Sequence, residues 1–305
     1  MALGRMRRIT FVLVLLVGLA GVTGCLGGEV DTIDADISPD AEPAETNETG
    51  DEILASGLSS TEDVDSYTVE SRNGFAFGAS QFFNANVSME SNSRFSTAEQ
   101  ESIIDTEGVT DFSFLGLLDN TTEFETTVYS EGNTTRRRTV ENGNATGWSE
   151  ADANYSLTET VFGTDALSWM RNGTEAELLG EERVNGVDTY ALRINVTRET
   201  YRNIFMHSTA AVGLSAGGVE DSQESEQPEE PEDGEFNITD ETAPEVYLWV
   251  DKETRRPARF AYLFTADSSN GSAEGDGGGL NAAFSMLYEA DYSYEEVEVE
   301  PPEGL

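Results

Sequence analysis

The sequence predicts an α+β fold built on an antiparallel sheet. Three observations lead there: a hairpin at Glu245–Thr265 that is apolar on both faces, alternating segments along most of the remaining chain, and two stretches with helical periodicity. In the hairpin, Val246, Leu248 and Val250 point one way and Tyr247 and Trp249 the other, because strand side chains alternate. On the return arm Phe260, Tyr262 and Phe264 share a face opposite Ala261 and Leu263. A sheet with one wet face alternates apolar with polar. This hairpin is therefore expected to be covered on both sides, or to look into an apolar cavity on one of them. Its turn, Asp251 to Pro257, holds Lys252, the one lysine in the chain.

The N-terminus reads differently. Arg5, Arg7 and Arg8 precede the apolar run Ile9 to Ala20. That run is shorter than the ~20 residues a membrane span needs, and it suits the core of a signal peptide, residues 1–24. Val22-Thr23-Gly24-Cys25 resembles a lipoprotein lipobox, which implies lipid attachment at Cys25 and a membrane anchor. Residues 25–50 are rich in acids, carry Pro39 and Pro43, and read as a flexible acidic tether.

From Asp51 the pattern becomes globular. Ile53, Leu54 and Leu58 form one face of a short helix. Strands are expected at Ser66–Arg72, Phe75–Glu90 and Arg94–Asp105, then a hairpin of Thr122–Ser130 and Thr134–Val140 around Glu131-Gly132-Asn133. Arg136, Arg137 and Arg138 on its second arm face alternate sides and are expected to pair with surrounding carboxylates. The runs Phe112–Leu118 and Val161–Met170 are apolar without alternation and suit short helices or loops against a sheet. Asn185-Gly186 between apolar arms predicts a tight hairpin turn. Arg198–Leu214 has a helical stripe of Tyr201, Ile204, Phe205 and Val212. Residues 215–242 are an acidic loop insertion and 267–279 a Gly-rich loop. Leu280–Tyr294 is strand-like again.

Composition narrows the function. The chain has 59 acids against 17 bases, and removing residues 1–24 takes away three arginines and no acid. An anionic surface of this kind makes nucleic acid a poor partner. Together with 28 aromatic residues in periodic segments, it points to a halophilic folded domain, whose self-repulsion is screened within about 3 Å in molar salt. Cys25 is the single cysteine, so no disulfide exists within the chain. Ten Asn-x-Ser/Thr sequons fit an exported glycoprotein, with expected sites at Asn86, Asn120, Asn133, Asn144, Asn154, Asn172, Asn195, Asn237 and Asn270, besides Asn47. His207 is the one histidine, and no phosphate loop, nucleophile elbow or metal-ligand spacing accompanies it. The sequence supports neither an enzyme nor a bound cofactor or metal.

The order of the last pieces carries a family resemblance. Val184–Leu192 (VNGVDTYAL), a helix, Tyr247–Arg259 (YLWVDKETRRPAR) and Tyr292–Pro302 (YSYEEVEVEPP) together resemble the lipoprotein-carrier fold of the LolA/LolB carriers and the mycobacterial LppX/LprG-type lipoproteins, which many haloarchaeal lipoproteins also resemble. The resemblance spans about residues 52–302. It implies a strongly curved antiparallel sheet forming an open half-barrel, with helices packed on its concave face and acyl chains held between. On that reading Phe114, Leu117, Trp169, Ile204, Phe205, Trp249, Phe260 and Phe264 line a hydrophobic-ligand cavity. The implied function is an anchored extracytoplasmic carrier or binder of lipid. The alternative is a cell-surface scaffold whose core is filled by its own side chains.

Overall fold

The computed structural model describes residues 33, 35–79, 83–114, 118–132, 134–151, 174–195, 244–267 and 282–305. They contain one helix, α1 (Gly50–Ser59), and twelve strands: β1 (Ser66–Ala79), β2 (Phe83–Ser96), β3 (Glu101–Phe114), β4 (Leu118–Glu131), β5 (Thr134–Glu141), β6 (Asn144–Ala145), β7 (Ser149–Ala151), β8 (Glu175–Val184), β9 (Val187–Asn195), β10 (Glu245–Asp251), β11 (Pro257–Asp267) and β12 (Ala282–Ser293). All belong to one curved sheet of order β6-β5-β4-β3-β2-β1-β12-β11-β10-β9-β8, with β7 also on β5, and its two ends do not meet. Two antiparallel meanders, β1–β7 and β8–β12, are thus joined along a single β1–β12 seam that runs from Thr68↔Ser293 to Ala79↔Ala282.

The seam fixes which side chains share a face. Val69, Phe95, Ile104, Leu192, Leu248, Phe260, Tyr262 and Tyr288 form one core with Ile53, Leu54 and Leu58 of α1. We call this the helix face. Tyr247, Trp249, Ala261 and Leu287 form a second core on the other side with Ile37, and Ile33, Ala35 and Ala41 pack against it. Ile103 and Tyr129 are covered on that same side by Val299 from the C-terminal segment. Two extended segments therefore strap the side opposite α1, here the strap face. The double-sided hairpin expected at 245–265 is present as β10–β11, and both of its sides are covered.

The N-terminal strap corrects the expected tether. Of residues 25–50, those from 35 to 49 lie on the sheet, and Ile37 is 4% exposed. Ile33, Ala35 and Ile37 are spaced by two, which is the period of an extended chain with one buried side. The strap then rounds the edge of β8, where Glu42 and Glu181 exchange backbone bonds of 2.9 and 2.7 Å. A Cβ on Gly180 would lie 2.1 Å from the Glu42 carbonyl oxygen, so only glycine admits this approach. Thr49 closes the strap and caps α1: its hydroxyl accepts from Glu52 N at 3.3 Å, and Glu52 Oε2 accepts from Thr49 N at 2.8 Å. Asp51 Oδ1 then accepts from Ala176 N at 2.7 Å and ties the helix to β8.

Other expectations shift in register. The strand expected at Phe75–Glu90 is instead the end of β1 and most of β2, and Arg94–Asp105 spans the turn at 97–100. Phe112–Phe114 continues β3 and Leu118 begins β4, opposite Phe114, so the described part of that run is strand rather than helix. Asn185 (φ 50°) and Gly186 (φ 85°) make the expected turn between β8 and β9. The helix expected at Arg198–Leu214, the run Val161–Met170 and the 215–242 insertion lie outside the described residues, as do Cys25 and almost all of the 267–279 loop.

Candidate functional site

The residues proposed from sequence as a cavity lining do not form one surface. Phe260 and Phe264 lie on the helix face, but Trp249 lies on the strap face, 3% exposed, against the core built on Ile37. Adjacent strand positions alternate sides, so Trp249 and Leu248 cannot line the same wall. The Trp249 Nε1 donates to Glu182 Oε2 at 2.7 Å, and the Arg259 guanidinium sits 5.8 Å from its ring. Phe114 is half-buried at the end of β3. Leu117, Trp169, Ile204 and Phe205 lie outside the described residues.

The helix face carries two chemistries. From β8 to β12 it is an apolar wall: Leu178, Leu192, Val246, Leu248, Phe260, Tyr262, Phe264 and Met286 all join one core. Rings continue the wall toward the seam, with Tyr262 stacked on Tyr288 at 5.5 Å and Tyr67 on Phe95 at 4.6 Å. Tyr292 and Tyr294 stack at 6.5 Å, and their hydroxyls are buried without a hydrogen-bond partner among the described residues. Burial pushes the Tyr288, Tyr292 and Tyr294 hydroxyls well above the usual tyrosine pKa, because the phenolate would be desolvated.

Beyond the seam, a row of hydroxyls crosses the apolar face between Val69, Phe95 and Ile104 on one side and Val87, Met89 and Phe124 on the other. Ser71 stands opposite Ser91, Ser91 opposite Thr106, Thr106 opposite Thr126, and Thr126 opposite Thr139. This is one straight row across five strands on the face that also holds Val69, Phe95 and Ile104. Ser91 and Thr106 hydroxyls pair at 2.9 Å, Thr126 and Thr139 at 3.4 Å, and Ser130 and Thr135 nearby at 3.0 Å. Two members of this surface have no hydrogen-bond partner among the described residues: Ser71 Oγ, on a residue 7% exposed, and Ser93 Oγ, on a residue 0% exposed. At the β5 end, Arg137 stands opposite Val128, and its Nε donates to Thr139 Oγ1 at 3.2 Å.

Arg137 contradicts the expectation that the 136–138 arginines pair with acids. Among the described residues no carboxylate lies within ion-pair reach of its guanidinium. Burial alone pulls its pKa down, with no opposing charge to raise it. The strap face is the reverse: an open groove of about 690 Å³ there is lined by Glu70, Glu90, Asp105, Glu107, Glu125, Glu289 and Asp291 with Arg72 and Arg259. Among the described residues no group of three or more His, Cys, Asp or Glu is placed to hold a metal ion, and no helix is long and apolar enough to cross a membrane.

No family model matches the chain, and no curated protein matches it. Several solved structures align at low similarity. The Mycobacterium tuberculosis lipoprotein LppX shares 13% identity over 81% of this chain and 98% of its own, with a TM-score of 0.34. A LolA superfamily protein from Nitrosomonas europaea shares 13% identity over 83% of this chain and 95% of its own, at 0.22. A DUF1329 family protein from Desulfovibrio piger shares 11% over 81% and 92%, at 0.23. Similarity at this level assigns neither a family nor a function.

Proposed function

We propose that the chain is a lipoprotein anchored through Cys25 to the extracytoplasmic face of the cell membrane, which binds or carries a hydrophobic ligand on the helix face. One observation carries the ligand half of this reading. The helix face presents an apolar wall across β8–β12 and a row of hydroxyls across β1–β5, a pairing suited to an amphiphile. The signal peptide and lipobox of residues 1–25 support the anchor, and the side chains of Asn86, Asn120, Asn144 and Asn195 are exposed, as glycan acceptors must be. In this reading further helices of the chain cover the wall and the ligand lies between them.

A scaffold with a filled core is the second reading. It draws on the burial of Leu248, Val250 and Phe260 under the chain's own side chains. The experiment that separates the two uses Cys25→Ser in the native host. The variant moves from the membrane to the soluble fraction, because stable anchoring requires covalently attached lipid. Native mass spectrometry of the released protein then finds a bound apolar mass if it is a carrier. Release without any bound mass favours the scaffold, and retention on the membrane after signal cleavage removes the anchor.

A further inference from the structure

We propose that the hydroxyl-lined part of the helix face receives an oxyanion headgroup, a phosphate or carboxylate, of an amphiphilic ligand. Arg137 is its counter-ion and the Ser71–Thr139 row its hydrogen-bonding surface. The proposal rests on the ligand reading above and specifies the polar end of that ligand.

Three observations converge. The first is Arg137. The chain has 59 acids for 17 bases, and four sheet arginines find them: Arg72 bonds Glu289, Arg94 lies 3.6 Å from Asp105, Arg193 3.4 Å from Glu177, and Arg259 2.6 Å from Asp291, whereas Arg136, Arg137 and Arg138 of β5 have no described carboxylate within ion-pair reach. Of these three Arg137 alone points to the helix face, where its described neighbours are Val128 and hydroxyls. A desolvated cation without an opposite charge is costly, and an anion supplied from outside removes that cost. The group is half-buried, and none of its nitrogens is sealed in without a partner, so it remains within reach of a ligand.

The second is the pair of orphaned hydroxyls. Buried polar atoms are almost always paired, and the rest of the row follows that rule. Among the described residues Ser71 and Ser93 do not, although each is more than nine-tenths buried. Both can donate to an oxygen-rich group lying on this face. The third is the pairing of wall and row. Ser71 stands opposite Ala290 of the apolar wall, and Thr139 at the other end bonds Arg137. With strands ~4.8 Å apart, the row from Ser71 to Thr139 extends roughly 19 Å. A tail on β8–β12 places its headgroup on this row, with the cation at its far end.

The test uses the soluble full-length Cys25→Ser chain in molar salt, with displacement of an apolar fluorescent dye as the readout. Hexadecyl phosphate, hexadecanol and inorganic phosphate are the probes. Hexadecyl phosphate is expected to bind at least about tenfold more tightly than hexadecanol, because charge-assisted hydrogen bonds are the stronger ones. Arg137→Gln abolishes that preference and leaves hexadecanol affinity unchanged. Arg136→Gln, on the opposite face of β5, preserves it. Arg137→Gln also melts at or above the parent temperature, since it removes an unpaired buried charge; a merely structural arginine gives a lower one. Thr139→Val, a second variant, changes hexadecyl phosphate affinity alone. A preference that survives Arg137→Gln overturns the assignment, and so does a parent that does not discriminate. Inorganic phosphate binding as tightly as hexadecyl phosphate assigns a free-anion site and overturns the headgroup. If neither hexadecanol nor hexadecyl phosphate binds, the ligand reading itself fails.

Discussion

The two meanders of the sheet bury the same single layer in opposite ways. In β8–β12 both faces are apolar: Leu248 and Phe260 pack under α1, while Tyr247 and Trp249 pack under the N-terminal strap. In β1–β5 the helix face carries a row of hydroxyls between apolar residues, and the strap face carries Glu90, Glu107 and Glu125 directly opposite one another on β2, β3 and β4. Apolar burial contributes about 25 cal/mol per Å². A hydroxyl pair contributes only ~0.5–1.5 kcal/mol net, and like charges directly opposite each other are unfavourable. The C-terminal meander therefore holds the larger share of the apolar burial, while the N-terminal meander adds Val69, Phe95 and Ile104 to the same core across the β1–β12 seam.

The largest expected effect breaks the apolar half. Phe260→Ala removes a ring that is 1% exposed between α1 and Tyr288, at a cost of about 3–5 kcal/mol. Thr126→Val in the hydroxyl row costs about 1 kcal/mol, the net value of one hydrogen bond. Denaturant unfolding in molar salt measures both, and equal losses would remove the contrast between the halves.

An intermediate effect tests the tyrosines at the seam. The folded-state pKa values of Tyr288, Tyr292 and Tyr294 are raised above the ordinary 10.0, first by burial. Above pH ~10 the unfolded chain releases these protons while the folded chain keeps them, so the unfolded state binds fewer. Stability contributed by the neutral phenols is thus present below that pH and lost as pH rises toward the folded values. Each tyrosine contributes on the order of 1 kcal/mol one unit above pH 10. Absorbance at the phenolate band and far-ultraviolet circular dichroism should change together. Phenolate appearing at pH 10 with unchanged circular dichroism would place these hydroxyls in water.

Much of the apolar half was legible in the sequence, because its signals are local. Alternation in Glu245–Thr265 specified two buried faces, Asn185-Gly186 specified its turn, and Ile53, Leu54 and Leu58 marked α1. The polar half was not, because its pattern lies across strands. Ser71, Ser91, Thr106, Thr126 and Thr139 form a row only in the observed register, which depends among the described residues on the turn at 97–100. That turn is Thr97-Ala98-Glu99-Gln100, without Gly or Pro, and Gln100 adopts φ 56°. Composition also hid the strap, since acids surround Ile33, Ala35 and Ile37 and only their spacing by two betrays it. The resemblance that places Trp249 in a cavity does not say which side of its strand faces a ligand. Arg137 was grouped with two neighbours, and only its place opposite Val128 separates it from them.

The smallest expected effect sharpens the comparison on the strap face. Glu107 lies between Glu90 and Glu125, and strand neighbours on one face are about 5 Å apart. At ~0.1 M salt the screening length is about 10 Å, so these carboxylates repel; at 1 M it is about 3 Å and they do not. Glu107→Gln relieves two repulsions at once and should stabilise the chain by a few tenths of a kcal/mol at low salt and by almost nothing in molar salt. Glu177, in the apolar half, instead lies 3.4 Å from Arg193 across an exposed strand pair. Glu177→Gln removes an attraction and should leave stability unchanged or lower it slightly at low salt. Thermal unfolding of both variants at the two salt levels therefore gives opposite signs that converge as salt rises. A gain for Glu107→Gln that persists undiminished in molar salt would have to come from packing or hydrogen bonding of the introduced amide, and the carboxylate row would then play no part in the chain's demand for salt.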